Sequence, residues 1–105
     1  MIAETLNTPY YAVIFTSERT FVNENYGITA ERMEELAKQQ EGYLGIESAR
    51  EEVGITVSYW ESIDAIVKWK NNLDHTEARE KGRSTWYKRY KVRICLVERD
   101  YYFEK

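Results

Sequence analysis

The side chains best suited to chemistry are one histidine and one arginine that lie four positions apart. His75 is the only histidine of the chain, so any imidazole role belongs to it. A neutral imidazole near pH 7 can act as a general base. On a helix, residues at successive spacings of four, three and four lie along one stripe. The residues at those spacings are His75, Arg79, Gly82 and Trp86.

This stripe predicts the mouth of a pocket. There His75 would be the catalytic base or would orient the substrate, and Arg79 would stabilise a substrate oxyanion. The alternative interpretation of His75 is that it packs beside a helix cap at Asp74 and does no chemistry. The spacing leaves both open.

Aromatic residues are abundant, with nine tyrosines, three tryptophans and three phenylalanines among 105 residues. A ring can stack on a planar ligand, which would suit an aromatic substrate. The candidate substrate-binding residues are Trp60, Trp69, Tyr59 and Trp86. Each of them could equally be an ordinary core residue, because large aromatic side chains dominate protein cores.

Composition argues against several function classes. One histidine without a paired carboxylate at ligand spacing predicts no metal site, and the sequence predicts no cofactor. The single Cys95 excludes a disulfide within the chain. A formal charge of -3 argues against nucleic acid as a partner. Basic and aromatic residues do alternate between Lys81 and Arg93, which we interpret as a solvated basic face or as steering of an anionic substrate.

The chain lacks a stretch of about 18 apolar residues, so the sequence predicts no contact with a membrane. No signal-peptide pattern is visible, and we expect a cytoplasmic protein. A length of 105 residues predicts a single domain, residues 1–105.

Hydrophobic periodicity predicts six elements in the order β-α-β-β-α-β. We expect Thr29 to be the N-cap of the first helix and Gly42 to end it, Ser62 to cap the second helix, and Asp74 to cap a further helical segment. The predicted elements are a strand Tyr10–Arg19, a helix Thr29–Gln40, hairpin strands Tyr43–Glu51 and Gly54–Trp60, a helix from Ser62, a segment His75–Ser84 and a strand Trp86–Phe103. This order predicts the α+β class, with a ferredoxin-like fold and a four-stranded antiparallel sheet.

The strands are apolar on both sides, although helices can cover only one face of such a sheet. In the first strand Tyr11, Val13 and Phe15 alternate with other apolar residues. An uncovered apolar face of several hundred Å² marks an interaction site. Since a two-fold contact needs only one self-complementary patch, we expect a homodimer that packs sheet against sheet.

Several stretches together resemble the antibiotic biosynthesis monooxygenase family, especially its small bacterial stand-alone members. These stretches are YYAVIFTS, GYLGIESAR, GITVSYWES, IVKWKNNLDHTEAREKGR and WYKRYKVRICLVERDY. The resemblance covers about Tyr10 to Tyr102. It implies a dimeric α+β barrel with a small cavity between each sheet and its helices. It also implies a small-molecule ligand and a cofactor-independent monooxygenase acting on a small aromatic or enolisable compound.

Two other functions stay open. One is a non-enzymatic module on the same dimeric scaffold that binds or senses a small molecule. The other is haem binding or degradation, because some family members degrade haem with an asparagine on the first strand, a tryptophan on the second helix and a histidine ten residues later. Trp69 matches that tryptophan, but Arg79 stands where the histidine would be and the first strand has no asparagine. Haem degradation by that mechanism is therefore disfavoured.

Overall fold

The computed structural model describes residues 2–5, 7–74 and 85–105. It has the predicted order of elements and one four-stranded antiparallel sheet with strand order β2-β3-β1-β4. The elements are β1 (Tyr10–Arg19), α1 (Tyr26–Lys38), β2 (Tyr43–Arg50), β3 (Val53–Trp60), α2 (Ile63–Asp74) and β4 (Tyr87–Val97). The predicted ferredoxin-like α+β fold is confirmed.

The strand register divides the sheet into two faces, because residues paired across an antiparallel ladder point to the same side. Tyr11 of β1 pairs with Trp60 of β3 and with Leu96 of β4. Tyr11 and Val13 pack against buried residues of α1 and α2, so this side is the helix face. The alternate residues of each strand, which begin with Tyr10 in β1, form the opposite face.

The core is centred on Trp60, whose side chain is completely buried. Its indole stacks on Trp69 of α2 with a centroid separation of 6.0 Å and meets the ring of Tyr43 edge to face at 5.7 Å. Its Nε1 donates a hydrogen bond to Ser58 Oγ at 2.9 Å. Small residues of the two helices, including Ala37, close over this ring.

The first helix differs from the prediction at both ends. It begins at Tyr26, after Asn25 in a left-handed conformation with φ 61°, and Thr29 already donates its backbone N–H to Asn25 O. The predicted N-cap at Thr29 is therefore wrong; Asn tolerates the left-handed region better than most residues. The helix ends at Lys38, so Gly42 instead forms the turn into β2, where its φ is +87°.

The second helix begins as predicted, because Ser62 Oγ accepts a hydrogen bond from Ala65 N at 3.1 Å. The helix then continues without a break to Asp74. The predicted helical segment His75–Ser84 lies outside the described residues. The last strand ends at Val97, six residues before the predicted Phe103, and residues 98–105 form no regular structure.

The opposite face is covered at one end by the two terminal segments. Ala3 N donates to Glu47 Oε2 at 2.9 Å, and Tyr59 OH donates to the other oxygen of Glu47 at 2.5 Å. Tyr10 OH donates to Asp100 Oδ2 at 2.5 Å, which anchors the C-terminal segment. The sequence did not indicate this cover, since residues 98–103 were predicted to continue the last strand and the N-terminal segment was assigned to no element.

Candidate functional site

The predicted catalytic pair does not fall within the described part of the chain. His75 and Arg79 both lie in the stretch from 75 to 84, so the roles proposed for them stay predictions.

The four aromatic candidates do not line one common pocket. Trp60 is the centre of the core, and half-buried Trp69 stacks on it from α2. Tyr59 lies on the opposite face, where it meets Tyr10 edge to face at 5.7 Å. Trp86 is buried at the start of β4, and its Nε1 donates to the carbonyl oxygen of Glu24 at 3.0 Å. Of these four candidates, only Trp60 and Trp69 contact each other.

An apolar surface lies on the helix face beside this tryptophan pair. The side chains of β4 on this face remain about half exposed: Val92 at 48%, Ile94 at 53% and Leu96 at 50%. They pair across the ladder with half-buried Phe15, Val13 and Tyr11 of β1. We call the set Val13, Phe15, Val92, Ile94 and Leu96 the apolar floor. A planar apolar molecule fits such a surface, because burial of its area and of the floor is favourable.

A cluster of rings borders one end of the apolar floor. Phe15 meets Tyr87 edge to face at 5.4 Å and Tyr90 at 5.2 Å. Tyr26, the first residue of α1, meets both Trp86 at 5.5 Å and Tyr87 at 6.0 Å. Helix α1 therefore begins against the start of β4, and their rings wall this end of the floor.

Two phenol groups meet within this cluster. The hydroxyl oxygens of Tyr26 and Tyr87 are 3.1 Å apart, and either one can donate to the other. One proton is used in this contact, so the second remains for another acceptor. Among the described residues no acceptor of that second proton is found. The pair can therefore donate a hydrogen bond to an oxygen atom of a ligand.

Two arginines flank the phenol pair. The Arg19 guanidinium lies over the ring of Tyr26, with Cζ 3.4 Å from the centroid. It donates to Val22 O at 2.9 Å and to Asn23 Oδ1 at 3.0 Å, while its Nε is buried without a partner among the described residues. The Arg50 guanidinium donates a hydrogen bond to Ser17 Oγ, which lies on the helix face of β1. The positive charge of both groups favours an anion beside the phenols.

Tyr87 is held in its neutral form. Burial, together with its hydrogen bond to Tyr26, raises the pKa of Tyr87 well above the ordinary 10.0, although Arg50 and Arg19 act in the opposite direction. A phenol with a raised pKa stays protonated at neutral pH. Tyr87 is consequently a neutral phenol at this site, whose hydroxyl can donate or accept a hydrogen bond.

The sequence interpretation did not select Tyr26, Tyr87 or Arg19. Their meeting depends on tertiary structure: α1 begins three residues earlier than predicted, and the ladder between β1 and β4 shifts register at Glu18/Arg19. The one available signal was the mixture of basic and aromatic residues near the start of β4, which includes Tyr87 and Tyr90.

Two further features bear on the kind of site. Within residues 2–5, 7–74 and 85–105, no group of three or more histidine, cysteine or acidic side chains is arranged to hold a metal ion. In the same part of the chain, neither helix has the length and apolar character needed to cross a bilayer.

A search for relatives finds one at high identity. The chain is 50% identical over 106 residues to YqjZ, an uncharacterised protein of Bacillus subtilis strain 168, and the match covers 99% of this chain and 93% of that protein. The chain belongs to the YqjZ family. No family model matches it.

Several solved structures have the same fold as this chain, which is a relative of YqjZ. A protein of Bacillus cereus provisionally named an antibiotic biosynthesis monooxygenase is 16% identical, with a TM-score of 0.59 over 91% of this chain and all of that one. A similarly named protein of Chloroflexus aurantiacus is 13% identical, with a TM-score of 0.56 over 87% and 97% of the two chains. A protein of unknown function from Nitrosomonas europaea reaches 0.65 at 9% identity, over 92% and 97%. The fold is thus that of the antibiotic biosynthesis monooxygenase-like proteins.

Proposed function

We propose that this protein is a cofactor-independent monooxygenase that acts on a small aromatic or enolisable compound bound at the helix face. One observation supports this most strongly: an apolar floor ends at a phenol pair flanked by Arg19 and Arg50. Such a surface suits a planar molecule that carries one anionic oxygen. The likeness to antibiotic biosynthesis monooxygenase-like folds agrees with this chemistry.

In the proposed complex, the substrate ring lies on the floor and its oxygen points toward Tyr87. A neutral phenol and a nearby guanidinium stabilise a phenolate or enolate more than they stabilise the corresponding neutral group. This lowers the cost of removing the substrate proton. Trp69, which stacks on the buried Trp60, is proposed as the wall at the other end of the site.

The reaction needs no redox group on the protein, because the substrate supplies the electrons. A phenol and dioxygen give a quinone and water: one oxygen atom bonds to a ring carbon and the other leaves in water. All four electrons come from the phenol. The protein contributes desolvation, orientation and stabilisation of the anion.

The proton acceptor proposed for this step is His75, with Arg79 as a further stabiliser of the anion. Both roles come from the sequence pattern and the family resemblance. The phenol pair and the apolar floor are proposed to bind the substrate, and Tyr87 is proposed as a donor because burial raises its pKa and keeps it protonated.

We also propose the homodimer and the cytoplasmic location expected from the sequence. The dimer is supported by the uncovered end of the opposite face, where Val53 and Ile55 are 44% and 45% exposed. Exposed β-branched side chains that adjoin one another on a sheet favour association with a second apolar surface.

Oxygen uptake on a panel of phenols tests the proposed reaction. Tyr87→Phe removes one hydroxyl of the phenol pair and keeps the ring, so kcat/KM should fall about 100-fold, as for loss of one oxyanion donor. His75→Ala should lower it by about 100-fold or more, the contribution of a general base. The matched control is Tyr101→Phe, which removes a hydroxyl from a ring that is 87% exposed and should leave turnover unchanged.

The outcomes separate the alternatives. Tight binding of a phenol without oxygen consumption would contradict the enzyme and support the binding or sensing module. A shift of the haem Soret band on titration would instead support a haem-binding protein. Unchanged turnover in His75→Ala would remove His75 from the mechanism.

A further inference from the structure

The C-terminal segment carries three adjacent aromatic side chains in solvent. Tyr101, Tyr102 and Phe103 are 87%, 70% and 84% exposed, and the segment has no regular structure. Their exposure is costly because each ring could bury about 150–250 Å². The segment leaves the sheet at a fixed point, since Tyr10 OH binds Asp100.

A shallow groove of about 420 Å³ lies at the other end of the opposite face. Its wall has an apolar part at Val53 and three cations contributed by β4. Arg89 is paired with Glu18 through a contact of 2.7 Å. The full lining is Thr16, Ser17, Glu18, Val53, Arg89, Tyr90, Lys91 and Arg93. Apart from Glu18, the groove is therefore basic and partly apolar.

Residues 101–105 do not reach every part of the groove on the same chain. Tyr10, which holds the segment, is eight residues along β1 from Glu18, or about 26 Å at the rise of a β-strand. Residues 101–105 span at most about 18 Å when fully extended. The Glu18 end of the groove is therefore beyond the reach of residues 101–105 of the same chain.

We propose that residues 101–105 form an arm that docks in this groove on a second copy of the chain. The proposal rests on the homodimer proposed above and specifies how its subunits contact each other. In the proposed dimer the two sheets face each other. The two-fold axis lies in the plane midway between them and runs perpendicular to the strands. This symmetry places the Val97 end of one β4 over the Arg89 end of the other. In that arrangement the arm's rings reach Val53, and Glu104 approaches the cations Lys91 and Arg93, to which its charge is complementary.

Disulfide trapping between two differently substituted chains tests the arm directly. Both chains carry Cys95→Ala to remove the native thiol; one also has Phe103→Cys and the other Val53→Cys. Because each chain holds one cysteine, a disulfide between the two variants forms only if the arm crosses between copies. The matched control replaces Phe103→Cys by Phe21→Cys, which places the thiol on a ring position 95% exposed and outside the arm.

Sedimentation velocity on the full chain measures how much the arm contributes to the dimer dissociation constant. The triple variant Tyr101→Ser, Tyr102→Ser and Phe103→Ser should raise the dimer dissociation constant at least about tenfold, since buried aromatic anchors carry much of the affinity at interfaces. Phe21→Ser should leave it unchanged.

Each result has a definite meaning. A mixed disulfide together with a weakened triple variant supports the arm. A dimer that shows no disulfide and whose dissociation constant is insensitive to the triple substitution overturns the arm and leaves the homodimer standing. A wild-type chain that stays monomeric at every concentration overturns both.

Discussion

Replacement of Trp60 by phenylalanine distinguishes a core residue from a ligand-binding one. The substitution removes the hydrogen bond from Nε1 to the half-buried Ser58 Oγ, worth about 1 kcal/mol. The smaller ring also leaves a cavity in a site with no exposure, which costs roughly 1–2 kcal/mol. We therefore expect the free energy of unfolding to fall by about 2–3 kcal/mol.

Trp69→Phe is the matched comparison, because Trp69 is half-buried and stacks on the same ring. Its substitution should lower the free energy of unfolding by only about 1 kcal/mol. Less buried apolar area is lost than at Trp60, and the hydrogen bond from Trp60 to Ser58 is kept. If Trp69 is the wall of the site, Trp69→Phe should weaken phenol binding by more than the Trp60 substitution does.

Urea unfolding followed by circular dichroism measures both variants without depending on tryptophan emission. It is done at one fixed protein concentration, because the proposed dimerisation would make stability concentration-dependent. Equal slopes against urea would show that the variants unfold to the same extent. The reasoning is refuted if Trp60→Phe changes stability by less than about 0.5 kcal/mol while abolishing phenol binding.

Three further changes test the packing of the fold. Gly42→Ala should lower stability by about 2 kcal/mol in urea unfolding, because φ is +87° and a Cβ would meet Ala65 Cβ at 2.7 Å; an unchanged midpoint would contradict this. Ser62→Ala should cost about 1 kcal/mol by the same assay through loss of the N-cap, and a neutral result would show that the cap contributes nothing. Hydrogen bonds from Tyr59 and from the backbone of Ala3 lower the pKa of Glu47 below 4.5, so its stabilisation is present above that pH and is lost as pH falls through the lowered value. Glu47→Gln cannot titrate, so its free energy of unfolding should fall less than that of the wild type as the pH is lowered. Urea unfolding at a series of acidic pH values measures this, and identical pH profiles would refute it.

Much of the fold could be predicted because local patterns and tertiary packing agree. The alternation from Tyr10 to Arg19 predicted β1 with both its ends, and Ser62 was correctly predicted as the cap of α2. The start of α1 was missed because Asn25, in a left-handed conformation, replaces the side-chain cap that Thr29 suggested.

The candidate site was less predictable, because it depends on register. Tyr59 and Trp60 were both candidates for one site because both are aromatic, yet neighbouring strand residues point to opposite faces. Tyr26 and Tyr87 are 61 residues apart in sequence, and no local pattern indicates that their hydroxyls meet. The sequence shows that aromatic residues are abundant, but only the folded chain shows which rings contact each other.

The most direct test of the proposed monooxygenase is the fate of labelled dioxygen. Wild-type protein, treated with chelator and checked for the absence of bound flavin and haem, is mixed with a phenol under ¹⁸O₂, and product and water are analysed by mass spectrometry. The account predicts one labelled oxygen in the quinone and one in water, with product formation strongly reduced in Tyr87→Phe. Phenol that is bound but never oxygenated, or turnover that is unaffected by Tyr87→Phe, would contradict it.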